Sequence, residues 1–446
     1  MAIVLCLGFV AVFAGKYVVF PWLRPSYTAT KNSVTYEAIR SYAIEGDIRD
    51  RNGNIVLGYG EPGSSAYALW PQNYSYAWLL GYYSVNSSAE NRFGLRGNLK
   101  DYSLFTLDQS DKGAAVNLTT DTGLQNFAYQ NILAGNEGSV IVLDNRSGAI
   151  LCLTSQSTID YDVNDVDSLL TSDIPDSQYR RGTFENDPPG STFKVITAAA
   201  ALKKAEDENL GEDFFAYTDT GTYIADGDGF AITNYANAVY GDIGLEEALN
   251  NSVNCYFADL GIRTGKERLG DMASAFLIGR DIEIPFLDTV KSVLDFGTGS
   301  PGDIAQVSFG QGNTEVSPLH LAMIAQAIAN NGNMMAPYIV DSIRLGRIPL
   351  YKSFRHSLNQ CISQSIDDSL KQIMHSTAVG YGMDEENFGY VCAKTGSAEC
   401  TGDRVHTYII GFTDRYSFCI SANNSDISTN LLPGAQQLVQ YLNSME

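Results

Sequence analysis

The chain has 446 residues, of which 44% are hydrophobic and 18% are charged. This composition is ordinary for a globular protein, and the length leaves room for roughly two or three domains with a full core. The formal net charge of -22 argues against nucleic acid or an anionic membrane surface as a partner.

The N-terminal stretch 2–23 is apolar apart from Lys16. About 20 apolar residues are enough to cross a bilayer as a helix, so we expect a transmembrane anchor over residues 1–23. No basic residue precedes the stretch, and no clear small-residue cleavage site follows it. A cleaved signal peptide and a buried core helix therefore remain as alternatives.

Residues 24–110 are rich in Tyr, Ser, Asn and Gly and carry no recognisable catalytic set. Within them, the stretch 44–57 predicts two short strands around an Asn52-Gly53 turn. We expect an N-terminal pedestal, an interaction or dimerisation-like module, over 24–110. A second domain is expected over 111–446.

The remainder of the chain predicts both helices and strands. Helical periodicity or capping residues predict helices at 121–134, 245–250, 318–329 and 434–442. Apolar runs predict strands at 139–143, 149–153, 390–399, 407–412 and 416–421. No strand is predicted in the Gly- and Asp-rich stretch 204–242. This order favours an α/β (α+β) fold, in which an antiparallel sheet is covered by helices.

One short stretch combines a nucleophile with a base. Ser191 follows Pro188-Pro189-Gly190 at the start of an apolar helix, and Lys194 lies three residues further on. Residues at this spacing share a helix face, so the Ser191 hydroxyl and the Lys194 amine can meet. A lysine among apolar neighbours has a lowered pKa and can activate a hydroxyl. Free N–H groups at the helix start would stabilise an oxyanion.

Two further motifs accompany this pair. Ser252 and Asn254 form a Ser-x-Asn that follows a short helix, and Lys394-Thr395-Gly396-Ser397 is the only Lys-Thr-Gly in the chain. Ser-x-Asn alone is a weak signal because it recurs elsewhere. The Lys-Thr-Gly lies on a predicted strand, where its glycine would let a ligand backbone approach closely.

Histidine and cysteine usage excludes several other chemistries. The four histidines include no His-Glu-x-x-His, which argues against a zinc protease and makes a Ser-His-Asp triad a poor fit. The seven cysteines lack metal-ligand spacing, so we expect mostly free, buried thiols. No metal or cofactor is predicted.

Together, Ser-x-x-Lys, Ser-x-Asn and Lys-Thr-Gly resemble the motif set of the penicillin-recognising acyltransferases. The flanking Pro-Pro-Gly-Ser-Thr-Phe-Lys and Lys-Thr-Gly-Ser-Ala-Glu resemble class B penicillin-binding proteins. Gly81-Tyr82-Tyr83-Ser84 is similar to the pedestal of their short, penicillin-binding-protein-A-like group. Asp187 departs from the family, which often has Tyr before Pro-Pro-Gly.

The resemblance implies a peptidoglycan D,D-transpeptidase that cross-links stem peptides through a serine acyl-enzyme and is a target of β-lactams. It implies that Ser191 is the nucleophile and Lys194 its base. It also implies that Ser252 relays a proton and that Asn254 holds Lys194 and the stem-peptide amide. The N–H groups of Ser191 and Ser397 would form the oxyanion hole.

The resemblance further assigns substrate binding to the Lys394 strand. Lys394, Thr395 and Ser397 would bind the terminal carboxylate, and Gly396 belongs to the same binding strand. The implied location is the cell membrane, with a single-pass anchor and an extracytoplasmic catalytic domain. A membrane glycosyltransferase of the SEDS class is the partner that the family analogy suggests.

Two other readings stay open. A D,D-carboxypeptidase or a β-lactamase would share the acylation step and differ only in letting water reach the acyl-enzyme. A non-catalytic β-lactam-binding scaffold is the third reading, although the chain keeps Ser191, Lys194 and Lys394.

Overall fold

The computed structural model describes residues 46–58, 74–80, 94–95, 98–99, 113–156, 182–183, 185–225, 231–400, 404–425 and 430–445. The predicted anchor at 1–23 and most of the predicted pedestal lie outside these residues. None of the helices in the described ranges is long and apolar enough to cross a bilayer.

The largest feature is a five-stranded sheet in which every neighbouring pair is antiparallel. Its strand order, from one edge to the other, is β14 (Cys392–Cys400), β15 (Arg404–Phe412), β16 (Tyr416–Ser425), β4 (Gly138–Asp144) and β5 (Ile150–Gln156). The hairpin predicted near 139–153 and the three late strands are confirmed, and they form a single sheet.

Both faces of this sheet are buried. Ile141 and Ile410 point into one hydrophobic cluster, whereas their chain neighbours Val140 and Ile409 point into another. Side chains alternate between the faces of a strand, so a sheet covered on both sides needs apolar residues at successive positions. The unbroken apolar run at 139–143 therefore reflects the helices that cover both faces.

The described α-helices are, in chain order, α1 (Ala77–Leu80), α2 (Thr122–Phe127), α3 (Lys194–Glu208), α4 (Leu245–Asn250), α5 (Asn254–Thr264), α6 (Lys266–Ala275), α7 (Pro301–Ser308), α8 (Pro318–Ala329), α9 (Gln364–Gly380), α10 (Glu385–Phe388) and α11 (Leu432–Ser444). The helices predicted at 121–134, 245–250, 318–329 and 434–442 are confirmed. The first of them continues beyond Phe127 as a π-helical segment, Ala128–Leu133.

A second five-stranded sheet joins early and late parts of the chain. Its order is β12 (Ile348–Lys352), β11 (Val340–Leu345), β3 (Ala115–Leu118), β1 (Ile48–Arg49) and β2 (Ile55–Leu57). The hairpin predicted around Gly53 is confirmed, and Gly53 has the positive φ of 85° that such a turn requires. The domain boundary near residue 110 stays a prediction.

Six further short strands form three two-stranded sheets. β10 (Asn333–Met335) pairs with β13 (Ser357–Gln360). In the stretch 204–242, where no strand was predicted, β6 (Tyr217–Asp219) pairs with β9 (Gly241–Ile243), and β7 (Thr222–Ile224) pairs with β8 (Ala231–Thr233). The four strands β6 to β9 have only three residues each, which is too few to show an apolar alternation in the sequence.

The described cysteines match the expectation of free, buried thiols. They are Cys152, Cys255, Cys361, Cys392 and Cys419. Cys6 and the side chain of Cys400 lie outside the described part of the structure.

Candidate active site

The predicted nucleophile lies in a tight turn that begins a helix. Residues Gly190–Phe193 form a 3-10 turn that leads directly into α3 at Lys194. Gly190 has a positive φ of 55°, and its N–H donates to the Gly310 carbonyl at 2.9 Å. The Thr192 hydroxyl donates to the Pro189 carbonyl at 2.7 Å and closes the turn. The residues on both sides of Ser191 are thus fixed by hydrogen bonds.

Strand β14 packs directly against this turn. A Cβ atom added to Gly396 would lie 2.8 Å from the Pro189 carbonyl oxygen and 2.9 Å from the Thr192 nitrogen. A Cβ atom added to Gly190 would lie 2.9 Å from the Ser397 nitrogen. Gly396 therefore makes room for the chain's own backbone, and the ligand approach expected at this glycine stays a prediction. This packing places the backbone of Ser397 against Gly190, which directly precedes Ser191.

Ser252 and Asn254 hold the Lys194 amine. Lys194 Nζ donates to the Ser252 carbonyl at 2.6 Å and to Asn254 Oδ1 at 2.7 Å, and it lies 3.2 Å from Ser252 Oγ. Ser252 lies between α4 and α5 with a φ of 55°. This left-handed conformation is unusual for serine and turns its hydroxyl and its carbonyl towards one amine.

A second lysine shares the Ser252 hydroxyl. Lys394 Nζ donates to Ser252 Oγ at 3.0 Å and to the Thr395 carbonyl at 3.0 Å. The side chains of Lys194 and Lys394 are both fully buried. Three sequence segments that are far apart in the chain therefore meet at one hydroxyl.

The surroundings of Lys194 change its pKa. Burial lowers the pKa of Lys194 well below its ordinary value, and the positive charge of Lys394 lowers this pKa further. Desolvation and a nearby like charge both disfavour the protonated amine. The lowered pKa favours the neutral amine of Lys194, which is the form that can accept a proton.

One expected contact is not formed in this conformation. Among the described residues, the Ser191 hydroxyl makes no hydrogen bond, and the Lys194 amine is held by Ser252 and Asn254 instead. Catalytic hydrogen bonds are often long or poorly aligned before substrate binds. Ser191 and Lys194 are otherwise placed as predicted, at the first turn of the same helix.

The structure adds two contacts that sequence reasoning missed. The Tyr381 hydroxyl lies 2.9 Å from Thr395 Oγ1. Asp187, which departs from the family pattern, lies 3.5 Å from His406 through its Oδ1 and the ring Nε2. Neither contact has a sequence signal, because each joins segments that meet only in the folded chain.

A buried lysine next to a serine at a helix start, with a Lys-Thr-Gly on the edge strand of an antiparallel sheet, is the arrangement of the penicillin-recognising serine enzymes. Comparison with known proteins gives the same class. Residues 138–423 match the family model described as the penicillin binding protein transpeptidase domain. The chain belongs to this penicillin-binding protein transpeptidase family.

Individual relatives agree with this assignment. The peptidoglycan D,D-transpeptidase PbpA of Mycobacterium tuberculosis is 31% identical over 389 residues, which cover 76% of this chain and 74% of that protein. A solved structure of M. tuberculosis penicillin-binding protein A, a penicillin G acyl-enzyme complex, has a TM-score of 0.78 at 24% identity. That similarity covers 91% of this chain and 100% of the solved chain, and it shows a shared fold.

Proposed function

We propose that this chain is a serine D,D-transpeptidase that cross-links peptidoglycan stem peptides. The single observation that carries the proposal is the buried Lys194 amine, held by Ser252 and Asn254 and three residues after Ser191. The substrate class follows from family membership and from the transpeptidase named among its relatives. The proposed substrate is the D-Ala-D-Ala end of a stem peptide.

In the first step, Ser191 Oγ attacks the carbonyl carbon of the penultimate D-Ala. The hydroxyl proton passes to the neutral amine of Lys194, and the carbonyl oxygen becomes an oxyanion. The adjacent N–H groups of Ser191 and Ser397 donate to that oxygen. Removing one such donor in a comparable hydrolase costs roughly 3–4 kcal/mol, so the packing of β14 on the Ser191 turn matters for the rate.

In the second step, the bond to the terminal D-Ala nitrogen breaks and leaves an acyl-enzyme on Ser191. The leaving nitrogen receives a proton from Lys194 through Ser252 Oγ, which lies 3.2 Å from the Lys194 amine. An amine of a neighbouring stem peptide then attacks the acyl carbon. That attack forms the cross-link and breaks the ester bond to Ser191 Oγ, and the proton lost by the attacking amine passes through Lys194 to Ser191 Oγ.

The substrate would bind at the β14 edge of the large sheet. β14 is the last strand in the sheet order, so an extended stem peptide can add to it as a further strand. Lys394, with Thr395 and Ser397, supplies the cation and hydroxyls for the terminal carboxylate. The same groups would bind the carboxylate of a β-lactam, whose strained amide takes the place of the peptide bond.

The cellular setting belongs to the same proposal. Peptidoglycan lies outside the cytoplasm, so the catalytic domain must be there too. The apolar stretch 1–23 would hold it at the cell membrane as a single-pass anchor. A SEDS-class membrane polymerase, the partner that the family analogy suggests, would supply the glycan strands.

Labelling with a fluorescent penicillin tests the serine assignment. The wild-type chain is expected to gain one covalent label on Ser191, and Ser191→Ala is expected to gain none. Peptide mapping by mass spectrometry identifies the labelled residue. Labelling that persists in Ser191→Ala would refute the assignment.

A further inference from the structure

The side-chain amide of Asn254 has two ends with different partners. Its Oδ1 accepts from Lys194 Nζ at 2.7 Å, and its Nδ2 donates to the Thr233 carbonyl at 3.0 Å. A reversed amide would place its NH2 group against the Lys194 amine and its oxygen against a carbonyl oxygen. The Thr233 carbonyl therefore determines which end of the amide faces Lys194.

The next residue, Asn234, ties the Thr233 carbonyl to the start of α5. Asn234 is 4% exposed, and its Oδ1 accepts the backbone N–H of Cys255 at 3.0 Å. Cys255 directly follows Asn254 in the chain. One buried amide thus links the end of β8, which carries Thr233, to the helix start that carries Asn254.

Asn234 is held in turn by a buried carboxylate. Its Nδ2 donates to both oxygens of Asp219, at 3.0 Å and 2.9 Å. Asp219 is 1% exposed and also accepts the Tyr240 N–H at 2.9 Å. Burying a carboxylate is costly unless it is hydrogen-bonded, so these donors fix its position and that of Asn234.

We propose that Asp219 and Asn234, the Asp219–Asn234 clamp, are positioning residues for the acylation of Ser191. The clamp acts through Thr233 and Cys255, and it keeps Asn254 Oδ1 facing the Lys194 amine. This inference depends on the proposed function, because it assigns a role in activating the same serine. Neither clamp residue belongs to the three motifs that define the family.

The clamp also affects the protonation of Lys194. The amide oxygen of Asn254 favours the charged amine, so losing that acceptor lowers the pKa of Lys194 further. The other titratable groups that influence Lys194 are Lys394 and Cys255. Asp219 itself influences Cys255 and Tyr217. A variant that releases Asn254 therefore moves the acid limb of the acylation rate to lower pH.

The test compares Asp219→Asn with Asp242→Asn. Asp242 is an exposed carboxylate in the same pair of strands, where it accepts from Thr218 Oγ1 at 2.6 Å. The second-order rate of acylation by a fluorescent penicillin is measured from pH 5 to pH 9, together with the melting temperature. The exchange variant Asp219→Asn with Asn234→Asp places a carboxylate and an amide opposite each other again.

We expect Asp219→Asn to lower the acylation rate by about 10-fold to 100-fold and to move its acid limb to lower pH. The exchange variant is expected to recover part of the rate, because it restores the amide–carboxylate pair but loses the Asn234 Nδ2 donor to the Ala238 carbonyl at 3.0 Å. Asp242→Asn is expected to behave as wild type. An Asp219→Asn protein that acylates like Asp242→Asn, or that keeps the wild-type acid limb, would overturn the inference.

Two further results complete the test. If Asp219→Asn does not fold, the exchange variant alone decides, and a folded exchange variant more than 100-fold slower than wild type would overturn the inference. If the wild-type chain itself is not acylated, the proposed function fails, and the inference that depends on it falls too.

Discussion

At the scale of single residues, function depends on a lysine that is destabilising where it lies. Lys194 is fully buried, and burial holds its pKa well below the ordinary value. An unfolded chain keeps this lysine protonated up to a pH of about 10.4. The folded chain therefore releases the Lys194 proton at a lower pH than the unfolded chain does.

This difference predicts how stability depends on pH. Between the two pKa values, the unfolded state binds one more proton, so the Lys194 contribution to the free energy of unfolding rises with pH. It rises by about 1.4 kcal/mol per pH unit. Lys194→Met removes the titrating group and is also expected to abolish acylation.

Denaturant unfolding of both proteins from pH 7 to pH 10 provides the measurement. The stability of wild type relative to Lys194→Met should increase with pH across this window. Parallel profiles for the two proteins would show that Lys194 is not held neutral in the folded state. Comparing the two proteins cancels the titration of the other lysines and tyrosines.

At the scale of secondary-structure elements, the site depends on the close packing of β14 against the Ser191 turn. Gly396 has no room for a side chain because Pro189 and Thr192 fill that space. A methyl group there would separate Ser397 from Ser191 and misalign the two N–H groups proposed for the oxyanion.

Gly396→Ala is therefore expected to slow acylation by about 100-fold and to destabilise the fold by about 1–3 kcal/mol. Gly380→Ala is the matched control, since an added Cβ at Gly380 would meet nothing within 4 Å. Acylation rates and melting temperatures of both variants give the result. A Gly396→Ala protein as fast as Gly380→Ala would show that this packing does not set the rate.

Much at this scale was accessible from the sequence. The runs at 139–143 and 407–412 are long enough to predict strands, and Ser317-Pro318 marks the start of α8. The motifs around Ser191, Ser252 and Lys394 converge as expected. The catalytic role of each residue in these motifs remains a prediction.

Other features of the fold and the site have no recognisable pattern in the sequence. The strands at 217–243 are three residues long, and the Thr233 carbonyl that holds Asn254 is a backbone group that any residue supplies. The packing partner of Gly396 within the fold also had no sequence signal. Sequence indicated that a backbone approaches this glycine closely, but only the fold shows that the backbone is the chain's own.

At the scale of the whole molecule, the fold unites distant segments of a strongly acidic chain. The chain carries a net charge of -22, yet two buried lysines meet at Ser252. The large sheet makes this possible because its edge strand carries Lys394, while α3 and α5 carry Lys194 and Asn254. The groups proposed for catalysis and for carboxylate binding therefore lie at one edge of the sheet.

Product analysis tests the central claim of a transpeptidase most directly. Purified full-length chain is incubated with uncross-linked glycan strands polymerised from lipid II, and the digested products are identified by mass spectrometry. Ser191→Ala is the matched control. The account predicts cross-linked stem peptides with release of D-Ala for wild type, and neither product for Ser191→Ala. Stem peptides that lose D-Ala without cross-links would contradict it and indicate a carboxypeptidase.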